Sequence, residues 1–273
     1  MRTNKKMAAI LAIVIAVVGF TGCANPVTSL TGNLEKSVIG EGSGAGEVVS
    51  KEQKTFEATS FDSVHISAQA MAIVVTRSSG NNAEVEFLAD KAISNQFTFD
   101  ASVKSKVLNV KVEENGKKLN LSDDQRGERK LLISLPDKLY EQVTIKNNFG
   151  RIEATDLNTN GLKINLDAGE IRVSRVLGTM NLEAKSGAIF VDGISLEKDL
   201  KAKTNVGEIA IHLSESPRNA EISLKSEIGN VMADFDDIQF DANTSNKKTG
   251  AIGSKGPRLN ASTNIGSIVV DAN

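Results

Sequence analysis

The chain has 273 residues, 40% hydrophobic and 24% charged, an ordinary globular composition that excludes disorder as the whole account. Its formal charge is −2; setting aside Arg2, Lys5 and Lys6 leaves 29 bases against 34 acids beyond residue 22, so the net charge points to no nucleic-acid partner. One cysteine and two histidines exclude a disulfide framework and a Cys/His metal cage, and neither a metal nor a cofactor is expected.

Arg2, Lys5 and Lys6 precede Met7 to Phe20, fourteen residues without a charge, and Thr21-Gly22-Cys23 follows at once. That is the layout of a secretory signal peptide over residues 1–22. A fourteen-residue helix reaches only ~21 Å, short of a ~30 Å hydrocarbon core, so a permanent span is the weaker reading. The tail Gly-Phe-Thr-Gly-Cys resembles a bacterial lipobox, with Phe20 where leucine is usual. The resemblance implies cleavage between Gly22 and Cys23 and acylation of Cys23, palmitate included, with enough apolar chain to hold the protein in a membrane. Residues 24 to about 54, with the run Gly40-Glu-Gly-Ser-Gly-Ala-Gly46 and no apolar periodicity, read as a flexible tether of roughly 30 Å root-mean-square length. No strand leads into that glycine run and no helix follows, so it is not a nucleotide loop.

Beyond the tether, apolar and polar residues alternate, as in Val64-x-Ile66-x-Ala68 and Leu131-x-Ile133-x-Leu135, which is strand periodicity. From Val143 the alternation becomes a repeat. Glycines stand at Gly150, Gly169, Gly187, Gly207, Gly229, Gly250 and Gly266, spaced 16 to 22 residues apart, and each is followed two residues later by Ile or Val. Inward pairs seven and five residues before the glycine include Val143/Ile145, Leu162/Ile164 and Ile222/Leu224; the Gly250 copy departs, offering Asn243 and Ser245. So short a unit cannot enclose a core alone, so copies must stack, with glycine supplying φ > 0 where the strand turns.

Stacking makes a second expectation about outward positions, which sit ~4.8 Å apart in neighbouring turns. The alignment pairs Arg151 with Glu170, Glu153 with Arg172, Asp167 with Lys185, and Glu227 with Lys248. The fold expected is therefore all-β: a parallel β-solenoid of about seven rungs over residues 143–273, built from ~20-residue Gly-x-Ile repeats. Residues 55–142 alternate with a poorer period and more phenylalanine, and read either as irregular first rungs capping that end or as a separate β-sandwich.

Leu131-Leu-Ile-Ser-Leu-Pro136, Val143-x-Ile145 and the serial Gly-x-Ile corners, with the opening Phe61-x-x-Val64-x-Ile66, resemble a bacterial domain family of unknown function labelled "putative adhesin", found in LiaG-like envelope proteins. The resemblance covers roughly residues 55–272. It implies a β-helix-like solenoid and carries no catalytic residues to this chain.

Chemistry is sparse in the sequence. His65 and His212 lie in strand segments without partners at ligand spacing, and read as solvent-facing or hydrogen-bonded strand histidines. Ser245-x-x-Lys248 and Lys248-Thr-Gly250 superficially match penicillin-recognising motifs, but they share Lys248 and lack the required helix. Asp234, Asp236 and Asp237, with Glu227, keep open a carbohydrate-active β-helix enzyme, although a solvated loop is the simpler reading. A stronger lead is apolar residues at outward positions: Phe190, Ala210 and Met232, three residues after their glycines, followed by Gly253 and Val269. Such a stripe marks contact with a partner or a surface covered by a loop or by the chain's own N-terminal segment. The segment from Val269 to Asn273 would leave an uncapped strand edge open to self-association.

The expectation is thus a non-catalytic protein, lipid-anchored on the extracytoplasmic face of the cell membrane, acting as an adhesin-like binding or scaffold module. Its expected partners are the membrane, through the anchor, and an envelope protein or wall polymer. The alternatives are the carbohydrate-active enzyme and a self-assembling structural envelope protein.

Overall fold

The computed structural model describes residues 48–91, 93–115, 128–235 and 237–272, with side chains from residue 52 onward. All of them belong to one compact unit, Val38–Asn273. The expected signal peptide, Gly22, Cys23 and most of the tether lie outside the described residues. The tether expectation ends too late, however, because Val48–Glu57 is strand β1 and pairs antiparallel with Asn82–Asp90.

The described chain is all-β. After β1 come β2 (Ser63–Ser67), β3 (Ala72–Arg77), β4 (Asn82–Asp90), β5 (Phe97–Lys104), β6 (Val107–Glu114), β7 (Arg129–Leu135) and β8 (Leu139–Tyr140). The long strands β9 (Gln142–Thr155), β10 (Asn158–Ser174) and β11 (Leu177–Ile194) follow. Then come β12 (Leu200–Val206), β13 (Ile209–Leu213), β14 (Ala220–Ile228), β15 (Val231–Asp234), β16 (Gln239–Asn243), β17 (Lys247–Ile252), β18 (Arg258–Ile265) and β19 (Ile268–Ala272). Two single 3-10 turns are the only helical residues among those described.

The alternation read from the sequence decides which side chains enter the core. Inward positions align from strand to strand: Ile145 on Ile164, Ile164 on Leu182, Leu182 on Ala202. A second column runs Ile73, Ile152, Ile171, Ile189, Ile209, each in register with the next. All five isoleucines are buried, and each contributes roughly 1.5–3 kcal/mol of burial relative to an exposed side chain. β-branched residues suit this pleated, close-packed surface.

The N-terminal strands are continuous with this stack. β2 and β3 both lie parallel against β9, and one core runs from Phe61 to Val270. Their other neighbours, β6 and β7, lead to antiparallel strands: β5 on β6, and β4 then β1 on β7. Phe87 lies between Phe97 and Phe99, with ring centroids 5.8 and 6.1 Å away, filling this end with aromatic volume.

Two differences from the expected repeat stand out. First, stacking order departs from chain order. β18 lies between β12 and β14, and β19 between β13 and β15, parallel to both neighbours. The segment at Val269 is therefore an interior strand, and the open edge expected there does not exist. Second, Gly250 is not a corner. β17 runs antiparallel to both β14 and β16, so the Gly250 copy is a hairpin strand, which explains its missing inward pair. Six glycine corners stack among the described residues, not seven.

Candidate functional site

The glycine corner divides two outward surfaces, and its geometry fixes their register. Gly150, Gly169, Gly187, Gly207, Gly229 and Gly266 all have φ between +116° and +147°, a region open essentially to glycine. Space is the stricter requirement. A Cβ on Gly187 would stand 1.8 Å from the Gly169 carbonyl oxygen, and one on Gly266 would stand 1.9 Å from that of Gly207. The glycines lie directly on one another, and any side chain would pry the strands apart.

Sequence reasoning missed a polar clasp just inside this corner, three residues before the glycine. Thr204 Oγ1 donates to Gly187 O at 3.2 Å, Thr263 Oγ1 to Gly207 O at 3.2 Å, and Ser226 Oγ to Gly266 O at 2.8 Å. Asn147 Nδ2 donates to Met71 O at 2.8 Å in the equivalent place. All four residues are buried. A hydroxyl among inward apolar positions was the signal available in the sequence, and it groups the Gly207, Gly266 and Gly229 corners as neighbours.

The surface after the corner carries the expected apolar stripe in a changed order. Phe190 is in register with Ala210, Ala210 with Val269, and Val269 with Met232. Gly253 is not part of it. Met232 is 62% exposed, and the Arg172 guanidinium lies over the Phe190 ring, 4.6 Å from its centroid. The corner itself adds a ridge: Val206, Ile265 and Ile228, adjacent in register, are 48%, 49% and 67% exposed.

Outward charges follow the stacking in part. Arg151 Nε meets Glu170 at 2.8 Å and Lys185 Nζ meets Asp167 at 2.7 Å, as the alignment requires. Arg172 turns to Glu170 instead of Glu153. Glu153 is left with a buried, unpartnered Oε2, and burial raises its pKa against the opposing pull of Arg151 and Arg172. Glu227 pairs with Lys225 at 3.7 Å, not with Lys248, because β17 is reversed. Asp156 and Arg175, both at positive φ in the turns that follow β9 and β10, form a two-pronged pair at 2.7 and 3.0 Å. The hydrogen bond from Arg175 holds the Asp156 carboxyl below the usual aspartate range.

His212 Nδ1 lies 2.6 Å from Asp271 Oδ1, and His65 sits on the opposite side of the corner, on β2. Among the described residues no group of three or more His, Cys, Asp or Glu is arranged to hold a metal. Glu227 precedes the Gly229 corner and Asp234 follows it, so these two acids lie on different surfaces. A shallow cavity of about 460 Å³ opens between loops 195–197, 215–219 and 255–257. Its charges, Glu197, Glu215, Arg218 and Lys255, are of mixed sign.

These features define an all-β protein of stacked parallel strands turned at a glycine corner. Residues 133–271 match the family described as Toastrack DUF4097, and the chain belongs to it. The fold is similar to that of a putative cell adhesion protein from Clostridium sporogenes, with a TM-score of 0.52 at 14% identity, covering 83% of this chain and 100% of that one. A putative adhesin from Bacteroides fragilis matches with a TM-score of 0.38 at 14% identity, over 82% of this chain and 97% of that one. A putative lipid binding protein from Parabacteroides distasonis matches with a TM-score of 0.23 at 14% identity, over 84% and 98%. No curated protein gives a significant match.

Proposed function

We propose that this protein is a non-catalytic, lipid-anchored module of the bacterial cell envelope, built as a β-solenoid of ~20-residue Gly-x-Ile units and acting as an adhesin-like binder or scaffold. The observation that carries the reading is the stripe Phe190–Ala210–Val269–Met232, which the strand order makes continuous. With the ridge Val206–Ile265–Ile228 it keeps apolar surface in contact with water, a feature that marks partner contact. The lipobox resemblance at Cys23 supports the extracytoplasmic side of this reading, and the name of the similar cell adhesion protein agrees with a binding role.

Two measurements test this. Intact mass and membrane fractionation of wild type and Cys23→Ala should show a cleaved, acylated membrane species only for the wild type. Sedimentation of the purified full chain with isolated envelopes should fall at least tenfold for Phe190→Ser/Met232→Ser, with the melting temperature preserved. Equal sedimentation of both proteins would remove the stripe as the contact surface.

A further inference from the structure

The surface before the glycine corner has a different character. Register places two outward columns across nine adjacent strands, in the order β6, β2, β9, β10, β11, β12, β18, β14, β17. Two columns on nine strands give eighteen positions, and none holds an apolar side chain. Lys146, Lys163, Lys201, Lys203, Lys225 and Lys247 lie along them with Lys111 at the far end, all exposed. Glu183 is the single acid; every other position is Asn, Ser, Thr or His65. Eight strand spacings of ~4.8 Å make the strip about 38 Å long, and its two columns are only ~7 Å apart.

Most of these lysines are not offset by a neighbouring acid. Lys225 stands directly opposite Lys247, a cross-strand like-charge pair that costs stability. Among the described residues, Lys146, Lys163, Lys203 and Lys247 make no ion pair, whereas Lys201 reaches Glu183 at 3.0 Å, Lys111 reaches Glu113 at 2.7 Å and Lys225 reaches Glu227 at 3.7 Å. Burial and the neighbouring Lys146 together hold the His65 imidazole below its ordinary range, as expected where positive charge is not offset. Acids flank the strip on both sides: Asp199 and Glu221 along one margin, Asp167 and Glu227 along the other. Asp199 pairs with Arg258 at 3.5 Å, Asp167 with Lys185 at 2.7 Å and Glu227 with Lys225 at 3.7 Å, so these margins are close to neutral and the uncompensated positive charge lies along the strip.

We propose that this strip binds a linear phosphodiester polymer of the cell envelope, laid across the strands along the stacking direction. Lysine ammonium groups are point-charge partners for phosphate, and the interleaved Asn, Ser and Thr side chains offer hydrogen bonds to the polyol or sugar between phosphates. A planar anionic bilayer fits less well, because none of the strip's eighteen positions holds an aromatic or aliphatic side chain to enter it, and the exposed Val206, Ile265 and Ile228 stand apart from it, at the corner. The inference rests on the reading of the protein as an envelope-binding module and names the ligand chemistry for it.

The test is titration of the full chain with synthetic poly(glycerol phosphate) over a series of salt concentrations, beside dextran and vesicles of phosphatidylglycerol. Wild type should bind the polyphosphate chain with a steep inverse salt dependence. Lys163→Gln/Lys201→Gln/Lys203→Gln should weaken binding by roughly 100-fold at low salt and reduce the slope of log K against log salt by about 2. Arg151→Gln/Arg172→Gln, beyond the corner, should bind as wild type does. Absence of binding to the polymer, binding insensitive to the triple change, or equal binding to dextran would overturn the proposal, as would vesicle binding stronger than polymer binding. Envelope sedimentation that depends on Phe190 and Met232 while polymer binding fails would sink this inference alone; loss of both would sink the binding-module reading with it.

Discussion

Replacing Gly187 by alanine tests the stack at its tightest point. The residue has φ +121°, and the added Cβ would lie 1.8 Å from the carbonyl oxygen of Gly169, 2.8 Å from its carbon and 3.0 Å from its nitrogen. Normal contact requires more than 3 Å to that oxygen, so β10 and β11 must separate by more than 1 Å at the corner or the backbone must leave its conformation. Strain at such a φ costs roughly 1–3 kcal/mol. Local loss of the strand hydrogen bonds brings the total to about 3–5 kcal/mol, in the range of core-disrupting changes. In a domain of this size that lowers the melting temperature by roughly 10 °C. Gly80 provides the control, since its φ is not positive and a Cβ there meets nothing within 4 Å. Urea unfolding of Gly187→Ala and Gly80→Ala beside wild type measures the difference. A Gly187→Ala protein within 1 kcal/mol of wild type, or equal losses in both variants, would refute the account of the corner.

Other outcomes follow from the same geometry. Thr263→Val removes the donor to Gly207 O and should cost about 1 kcal/mol, read as a lower urea midpoint with an unchanged slope; no shift would mean the clasp is not energetically significant. Glu153→Gln should stabilise at neutral pH. The native carboxyl, raised by burial, holds its proton more firmly than the unfolded one, so wild-type stability falls as pH rises from the unfolded pKa to the native one, and the benefit of the variant should vanish on acidification. A pH-independent gain would contradict this. Asp156→Asn should behave oppositely. The Arg175 bond lowers the native Asp156 pKa, so its contribution is present above the unfolded aspartate pKa and lost as pH falls through the native value. Asparagine tolerates the positive φ of 57°, so a constant deficit at every pH would point to a backbone effect instead.

The inward columns were legible in the sequence because two-residue periodicity and a fixed offset to glycine report directly on which side of a strand a residue lies. Ile152, Ile171 and Ile189 fall in register as the alignment placed them, and so do Arg151 with Glu170 and Asp167 with Lys185. Stacking order was not legible from spacing, which records only chain order. The Gly250 copy imitates the repeat for a different reason: its glycine packs where a Cβ would come 2.3 Å from the Gln239 carbonyl in β16, and Ile252 is buried beside it. Asn243 and Ser245 at its inward positions were the available warning. The lysine strip was hidden by the near-neutral whole-chain charge, which averages it against the acids beyond the corner. Only alignment of outward columns separates the two.

The placement of β18 and β19 bears on how the molecule is made. Repeat arrays ordinarily grow by addition, each unit docking on the one completed before it. Here β14 and β15 are synthesised before the strands that join them to β12 and β13, so they must wait, held by the β16–β17 hairpin, until the later segment arrives between them. Assembly beyond β13 is therefore an insertion with long sequence separation, which is slow. During synthesis it would leave the edges of β12 and β14 open until the closing strands have emerged, the interval in which the chain is most exposed to mispairing.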